Sequence, residues 1–188
     1  DARGVLRRHR PAAVVGFGGY PSAPTVLAAA RAGIPVLLHE QNALLGRVNR
    51  WLAGRAAAIA TGFPLQAAPA QGGRRVEVTG NPVRPAIAAK AGAPYPAPTA
   101  DGTLTLLVLG GSQGARVFSE LIPAAVALLP EGLRSRLSIV QQSRPEDIEA
   151  CRGRYAAISA DATLSTFFDD VPERLAAAQL VICRSGAS

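Results

Sequence analysis

Short apolar runs alternate with longer segments of helical spacing along the first half of the chain. This alternation predicts right-handed βαβ units built on a parallel sheet. The helical segments are Gly46–Ala56 and Ser22–Arg31, the latter with Ser22 as its expected N-cap and Gly33 as its expected stop. The predicted strands are Ala12–Val15, Pro35–Leu38, Ala57–Ala60 and Val76–Val78.

The alternation pauses at a stretch rich in proline and alanine, residues 85–102, and then restarts. This composition predicts a linker. The run LTLLVLGG that follows is continuously apolar, as expected for a strand that a parallel sheet buries on both faces. Further helices are predicted at 114–130, 145–158 and 171–179, and further strands at 137–143, 162–168 and 180–186. The expected architecture is α/β, with two Rossmann-like domains over residues 1–84 and 103–188, both incomplete.

Polar or glycine-rich residues follow the predicted strands on both sides of the linker. In open parallel sheets, ligands bind beyond the carboxyl ends of the strands, so these clusters are the predicted binding site. They occupy residues 16–20, 39–42, 80–84, 110–114, 141–143, 168–170 and 184–186. The densest cluster is HEQN, in which His39 is a candidate base and Asn42 a candidate ligand of a hydroxyl group.

Composition narrows the class of protein. A chain that is 48% hydrophobic and 18% charged is typical of a globular protein. No apolar run approaches the roughly 20 residues that a membrane span needs, and the basic start does not resemble a signal peptide. Cys151 and Cys183 are both expected to face a core, which fits a reducing cytoplasm. Two cysteines and two histidines without ligand spacing predict no metal site.

Positive charge is concentrated in the first half of the chain. Residues 1–84 contain 11 arginines and three acidic residues, a net charge of +8, whereas residues 85–188 have a net charge of −1. A basic half favours an anionic partner, namely a phosphate ligand, an anionic lipid surface or nucleic acid, although a solvated arginine-rich surface is equally compatible. Nucleic acid is disfavoured, because aromatic residues make up only 5% of the chain and no binding motif is present.

Two glycine-rich turns connect a predicted strand to a predicted helix. In GGSQGA, Gly110–Ala115, glycines allow a diphosphate to approach the backbone and Ser112 adds a hydroxyl donor. The motif lacks the spacing of a Walker loop and of a dinucleotide fingerprint, and a purely structural turn is the alternative. GFGGYPSAP, residues 16–24, is a second and weaker candidate of the same kind.

Two charged groups have competing interpretations. Arg84, in GNPVR, is placed to bind a phosphate or carboxylate, or to form an interdomain salt bridge. Asp169 and Asp170 could perform acid–base chemistry, but capping of the helix that begins near Val171 is favoured.

Taken together, GFGGYPSAP, GIPVLLHEQN, GNPVR, LVLGGSQGA and VICRSGA resemble, in order and spacing, the MurG family within glycosyltransferase family 28. Members move N-acetylglucosamine from UDP onto lipid I in peptidoglycan synthesis, as peripheral enzymes on the cytoplasmic face of the bacterial inner membrane. The resemblance implies a GT-B fold, with two Rossmann-like domains facing a cleft. Residues 1–84 then correspond to part of the N-terminal domain, which meets the anionic membrane surface and the polyprenyl-diphosphate acceptor. Residues 103–188 correspond to part of the UDP-sugar-binding domain.

The resemblance also implies roles for individual residues. Gly18, Gly19 and Tyr20 match the loop linked to the acceptor diphosphate, and Phe168 matches a backbone contact to the nucleotide. The implied reaction is inverting attack by the acceptor's 4-hydroxyl on the anomeric carbon, with UDP stabilised by helix N-termini and arginine rather than by a metal; no cofactor is implied. The implied UDP-N-acetylglucosamine-binding positions are Asn42, Arg84, Ser112, Gln113, Gly114, Phe168 and Ala187.

The sequence departs from the family pattern in three ways, which bear on whether the chain is active by itself. A family loop that ends in histidine is expected before Asp1, the nucleotide-binding stretch is expected to continue past Ser188, and Gln141 replaces the usual histidine. The chain is therefore expected to be an internal piece of a longer enzyme and inactive by itself. The alternatives are a non-catalytic nucleotide-sugar-binding module, another GT-B enzyme, or a dinucleotide oxidoreductase, which the absence of a G-x-G-x-x-G fingerprint disfavours.

Overall fold

A computed structural model describes residues 1–67, 75–111 and 114–184 of the chain. The chain forms two compact units, which divide between Pro82 and Val83. Each unit is an α/β structure with its own four-stranded, all-parallel sheet. The predicted fold class is confirmed. No helix in the described ranges is long and apolar enough to cross a membrane.

The first unit has the strand order β1-β2-β3-β4. Val14 pairs with Val36, Leu37 with Ala58, and Ala58 with Arg75. Its elements are α1 (Ala2–His9), β1 (Val14–Gly16), α2 (Ser22–Arg31), β2 (Val36–Glu40), α3 (Arg47–Leu52), a 3-10 helix (Ala53–Arg55), β3 (Ala58–Thr61) and β4 (Arg75–Val78).

The core of the first unit lies where α2 and α3 cover β2 and β3. Leu38 and Leu52 are fully buried there, beside Val26 from α2. Gly16 explains how closely α2 approaches the sheet, because a Cβ at this position would lie 2.8 Å from Val26 Cγ2 and 3.2 Å from Leu38 Cδ2. Glycine at the end of β1 is therefore a packing requirement as well as a turn signal.

Two local predictions in the first unit are wrong. Ser22 is the first residue of α2 rather than its N-cap, and its hydroxyl donates to Gly19 O at 2.9 Å instead of accepting from the helix. Strand β2 continues two residues beyond Leu38, through His39 and Glu40. Polar side chains do not end this strand, because both are buried and form hydrogen bonds, His39 with Gly80 and Glu40 with the segment that follows β2.

The second unit has the strand order β7-β6-β5-β8, so the chain crosses from β7 to the opposite side of β5. This change of direction creates a topological switch point between β5 and β8, where ligands bind in such sheets. The elements are α4 (Pro85–Ala88), β5 (Leu104–Leu109), α5 (Arg116–Ala127), α6 (Glu131–Arg134), β6 (Leu137–Gln142), α7 (Ile148–Ala157), β7 (Asp161–Ser165), α8 (Val171–Ala177) and β8 (Leu180–Cys183).

Both faces of β5 are covered. Val108 packs on one face with a cluster that includes Ile139 and Tyr155, and Leu107 packs on the other with Phe168 and neighbouring residues. The continuous apolar run predicted this burial. Cys151 belongs to the first cluster, whereas Cys183 is exposed on β8, which lies at one edge of the sheet that the described residues form. The expectation that both cysteines face a core is therefore wrong for Cys183.

The proline-rich segment 85–102 begins with α4 and packs on the second unit. Lys90 Nζ lies 3.4 Å from a carboxylate oxygen of Glu173 on α8. Tyr95 donates its hydroxyl proton to Gln179 O at 3.1 Å, and the Gln179 amide donates to Pro96 O at 3.2 Å. These contacts order the segment against the amino-terminal side of β8.

Candidate functional site

A cavity of about 320 Å³ lies at the carboxyl ends of β1 and β2 in the first unit. Three segments line it: residues 17–20 after β1, residues 40–42 at the end of β2, and residues 46–49 at the start of α3. Parallel strands bring these segments together because all carboxyl ends meet at one edge of the sheet. The first two segments are those singled out from the sequence.

Glu40 is the centre of the hydrogen-bonding network beneath this cavity. It is 3% exposed, and its Oε1 accepts from Asn42 N at 3.1 Å and Asn42 Nδ2 at 3.0 Å. Its Oε2 accepts from Gly46 N at 2.8 Å and Asn49 Nδ2 at 2.9 Å. Burial by itself raises the pKa of Glu40, but the four donors outweigh it and the pKa is lowered. Glu40 is therefore a buried carboxylate that orients its neighbours.

His39 is held through both ring nitrogens. Nε2 lies 3.2 Å from Gly80 O, which can only accept, so Nε2 carries the proton. Nδ1 then accepts from Gln41 Nε2 at 3.3 Å, and the Phe17 ring lies 5.4 Å from the imidazole. The imidazole is buried, and a role as base requires Gln41 to release Nδ1.

Gln41 and Asn81 join the loops that follow three strands. Gln41 Nε2 lies 3.3 Å from Phe17 O after β1, and Asn81 Nδ2 donates to Gln41 O at 3.2 Å from beyond β4. Gly62, after β3, has no room for a side chain, because a Cβ there would overlap the Asn81 amide. The polar residues after separate strands thus form one connected edge.

Asn42 is the exposed member of HEQN. Because its amide nitrogen donates to Glu40, its amide oxygen remains available as an acceptor, and an acceptor of this kind suits a sugar hydroxyl. Asn49 donates to His39 O at 3.1 Å as well as to Glu40. Within the described residues, Asn49 Oδ1 is buried and has no hydrogen-bond partner.

The glycines after β1 allow the loop to cover Asn49. Gly18 and Gly19 have φ angles of 81° and 73°, which favour glycine, and a Cβ on Gly18 would lie 3.2 Å from Asn49 Nδ2. Tyr20, which follows, is 74% exposed. Exposed Arg47 lines the same cavity and adds a positive charge near these backbone groups. A concave surface with glycine amides and a guanidinium is suited to an anion.

The sequence interpretation missed Asn49. It stands at a position of the apolar face that also contains Leu45, Val48 and Leu52, all buried. A polar residue at such a position indicates a buried hydrogen-bonding role. That signal, in GRVNRWL, was available from the sequence.

The second glycine-rich turn follows β5 at the switch point. A Cβ on Gly110 would overlap the backbone nitrogen of Ala115, and one on Gly114 would lie 2.7 Å from Arg144 Cγ. Gly111 and Gly114 have φ angles of 80° and 69°. The turn therefore depends on glycine at three positions. The predicted ligands Ser112, Gln113 and Ala187 lie outside the described residues.

The loop after β7 holds Phe168 in the core. Phe168 is 8% exposed, and the Arg174 guanidinium lies 4.4 Å from its ring centroid. Asp170 occupies the N-cap position of α8 but makes no capping bond with its side chain, contrary to expectation. Its Oδ1 accepts from Arg174 Nε at 2.6 Å, and this bond lowers the pKa of Asp170.

Gln141 is fully buried and serves the core of the second unit. Its Oε1 accepts from the Tyr155 hydroxyl at 2.6 Å, and its Nε2 lies 3.5 Å from Cys151 Sγ and from Ser143 Oγ. Burial raises the pKa of both Tyr155 and Cys151. Arg84, in contrast, is exposed at the start of α4.

These features define a protein with two parallel α/β units, each with a glycine-rich turn at the carboxyl edge of its sheet. Residues 1–61 match the family described as "Glycosyltransferase family 28 N-terminal domain". Residues 105–188 match the family described as "Glycosyltransferase family 28 C-terminal domain". The chain belongs to glycosyltransferase family 28, and its architecture is of the GT-B type.

Individual relatives are similar to this chain over its whole length. The UDP-N-acetylglucosamine--N-acetylmuramyl-(pentapeptide) pyrophosphoryl-undecaprenol N-acetylglucosamine transferase of Rhodospirillum centenum is 57% identical over 100% of this chain and 50% of its own length. The protein of the same description from Paramagnetospirillum magneticum is 58% identical, with coverage of 100% and 51%. The crystal structure of Acinetobacter baumannii MurG aligns with a TM-score of 0.72 and 34% identity over 99% of this chain and 50% of that chain. The chain spans about half the length of the curated relatives it matches.

Proposed function

We propose that the protein transfers N-acetylglucosamine from UDP-N-acetylglucosamine to the N-acetylmuramyl unit of lipid I, a polyprenyl-diphosphate acceptor. The observation that carries the proposal is the network around Glu40. A buried carboxylate accepts from the backbone and the side-chain nitrogen of Asn42, which leaves the amide oxygen available as an acceptor beside a glycine loop and Arg47. This arrangement supports simultaneous recognition of a sugar hydroxyl and of a diphosphate.

The donor belongs to the second unit. Gly110, Gly111 and Gly114 follow β5 at the switch point of the sheet and precede α5, whose N-terminal amides favour a diphosphate. Arg84 supplies a guanidinium with no ion-pair partner among the described residues. Ser112, Gln113, Gly114 and Ala187 complete the proposed donor contacts, with Phe168 contributing its backbone.

The proposed reaction inverts the anomeric centre of the donor. The 4-hydroxyl oxygen of the acceptor attacks the anomeric carbon, the bond from that carbon to the UDP oxygen breaks, and the hydroxyl proton passes to a base. Negative charge develops on the departing diphosphate, where Arg84 and the helix amides stabilise it. Asn42 fixes the sugar so that attack is in line.

The first unit also supports contact with an anionic membrane surface. Arg3 and Arg7 on α1 and Arg31 on α2 line one groove of about 320 Å³ whose other lining residues include Leu6 and Ile34. The acidic groups of residues 1–82 are engaged elsewhere: Asp1 accepts from Arg3 N, Glu40 is buried, and Glu77 pairs with Arg75 at 2.8 Å. Arg3, Arg7 and Arg31 are exposed and have no ion-pair partner within the described ranges, so their guanidinium groups are available to attract phosphate head groups. The proposed location is the cytoplasmic face of the bacterial inner membrane, as a peripheral protein.

A transfer assay tests the proposed reaction. Purified full-length protein that contains this chain, given UDP-N-acetylglucosamine and a short-chain lipid I analogue, is expected to release one UDP for each disaccharide product. Asn42→Ala is expected to lower kcat/KM by at least about tenfold, because it removes a hydrogen bond to the sugar. The matched control is Asn81→Ala, which removes an amide tied to the Gln41 backbone. Thermal protection by NAD but not by UDP-N-acetylglucosamine would contradict the proposal.

A further inference from the structure

Gln142 is the last residue of β6 and makes two hydrogen bonds to loops after the neighbouring strands. Its Oε1 accepts from Gly110 N, after β5, at 3.2 Å. Its Nε2 donates to Thr166 O, after β7, at 3.2 Å. The partners determine the orientation of the amide, because Gly110 N–H can only donate and Thr166 O can only accept. One side chain thus spans the carboxyl edge of three strands.

Both loops belong to the candidate donor site. Gly110 begins the glycine-rich turn, in which any side chain at this position would overlap the backbone that follows. Thr166 precedes Phe168, and the intervening loop is ordered by Ser165, whose hydroxyl donates to Phe167 O at 2.6 Å and accepts from Phe167 N at 3.3 Å. Thr166 and Phe168 therefore belong to one short loop whose middle residue, Phe167, is held by Ser165.

We propose that Gln142 is a positioning residue for the donor: it holds the turn at Gly110 and the loop at Thr166 at the separation that a nucleoside diphosphate requires. The inference rests on the proposed function, since that assigns the two loops to UDP. Gln142 acts through its neighbours and does not itself touch the reacting atoms. Because Gly110 has no side chain of its own, a neighbouring side chain must hold this end of the turn. Gln142 provides that bond.

Gln179 provides a matched control at the opposite edge of the same sheet. Its Oε1 accepts from Thr105 N, at the start of β5, at 2.6 Å, and its Nε2 donates to Pro96 O at 3.2 Å. Gln142 and Gln179 are both partly buried, and each joins β5 to a second loop through the same pair of amide atoms. A leucine at either position removes two comparable hydrogen bonds, but only one position borders the proposed donor site.

The experiment compares Gln142→Leu with Gln179→Leu by UDP titration calorimetry, donor kinetics and urea unfolding. Loss of two hydrogen bonds that order the site predicts that Gln142→Leu raises the Kd for UDP and the KM for UDP-N-acetylglucosamine by about 5- to 30-fold with kcat little changed. Gln179→Leu is expected to change this Kd and this KM by less than about twofold. It is expected to shift the urea unfolding midpoint by about as much as Gln142→Leu does. Equal losses of UDP affinity in the two variants, or unchanged affinity in Gln142→Leu, would overturn the proposal.

A second pair of variants keeps the proposal testable if leucine prevents folding. Gln142→Glu retains an acceptor for Gly110 N–H and adds a negative charge at the carboxyl edge of the sheet. It is therefore expected to weaken the binding of UDP more than the binding of uridine. Gln179→Glu is expected to leave the ratio of the two affinities unchanged. An unchanged ratio in Gln142→Glu would place Gln142 away from the diphosphate and overturn the proposal. If the unsubstituted protein binds no UDP, the proposed function itself fails, and the inference with it.

Discussion

Asn49 Nδ2 donates to Glu40 Oε2 across 2.9 Å, and both residues are almost fully buried. Four donors converge on the Glu40 carboxylate from the backbone and side chain of Asn42, the backbone of Gly46 and the side chain of Asn49. Because a charged acceptor strengthens each bond, this single carboxylate determines the shape of the loop between β2 and α3.

Glu40→Gln is expected to lower the free energy of unfolding at neutral pH by about 1–3 kcal/mol, because an amide group presents hydrogens to donors that need an acceptor. Urea unfolding measures the change. The matched control is Glu77→Gln, an exposed acid in the same unit, for which a change below about 0.5 kcal/mol is expected. Equal effects at the two positions would contradict the central role of Glu40.

The pH dependence of unfolding follows from the lowered pKa of Glu40. The unfolded chain binds this proton at a higher pH than the folded protein, so the stabilisation is complete above the unfolded pKa of 4.5 and is lost as the pH falls through the lower folded pKa. Urea unfolding from about pH 7 to about pH 3 should therefore show a smaller acid loss in Glu40→Gln than in the unsubstituted protein. Parallel pH profiles would rule out this contribution.

Arg84→Ala is expected to raise the KM for UDP-N-acetylglucosamine by about 10- to 100-fold, which corresponds to a charged hydrogen bond of about 1.5–3 kcal/mol. The unfolding midpoint should not change, because the side chain is exposed. Arg152→Ala, another exposed arginine of the second unit, is the control and should leave donor kinetics as they are. Unaltered donor kinetics in Arg84→Ala would remove Arg84 from the site.

Replacement of Arg3, Arg7 and Arg31 by glutamine is expected to weaken binding to vesicles of phosphatidylcholine with phosphatidylglycerol by about 100-fold, at about 1 kcal/mol for each basic residue near the surface. The control replaces Arg116, Arg134 and Arg152 of the second unit and changes the net charge equally. Binding should weaken as salt rises from about 0.1 M to about 1 M, where the screening length falls from about 10 Å to about 3 Å. Similar losses in both triple variants would indicate a non-specific effect of net charge.

Tyr155→Phe is expected to destabilise the second unit by about 1–3 kcal/mol, because it leaves the buried Gln141 Oε1 without its 2.6 Å donor. Thermal or urea unfolding measures the loss. Tyr95→Phe removes an exposed hydroxyl that bonds to Gln179 O and should cost less than about 1 kcal/mol, because water can replace it. A Tyr155→Phe protein as stable as the original would show that Gln141 finds another partner.

The fold was largely predictable because it depends on properties that are local in sequence. Apolar runs such as LTLLVL and the helical spacing of 22–31 determine which segments are strands and helices. The ends of the strands were less predictable. Strand β2 continues through His39 and Glu40, because Gly80 O accepts from His39, and Gly46 and Asn49 donate to Glu40. A polar residue can continue a strand where protein groups satisfy its hydrogen bonds, and sequence alone does not reveal those groups.

The sequence by itself determined that the polar residues gather at the carboxyl edges of two parallel sheets, since strand direction and loop composition fix that placement. Only the tertiary structure decided what each residue does there. Within HEQN it buries His39 and Glu40 and exposes Asn42, and at the second sheet it buries Gln141 and places Gln142 against Gly110 and Thr166. The reason is that the loop partners of His39 and Gln142 lie 24 to 41 positions away in the chain and become neighbours only when parallel strands pair. Orientation of a polar side chain follows the atoms that face it, and those atoms are set by strand pairing rather than by local sequence.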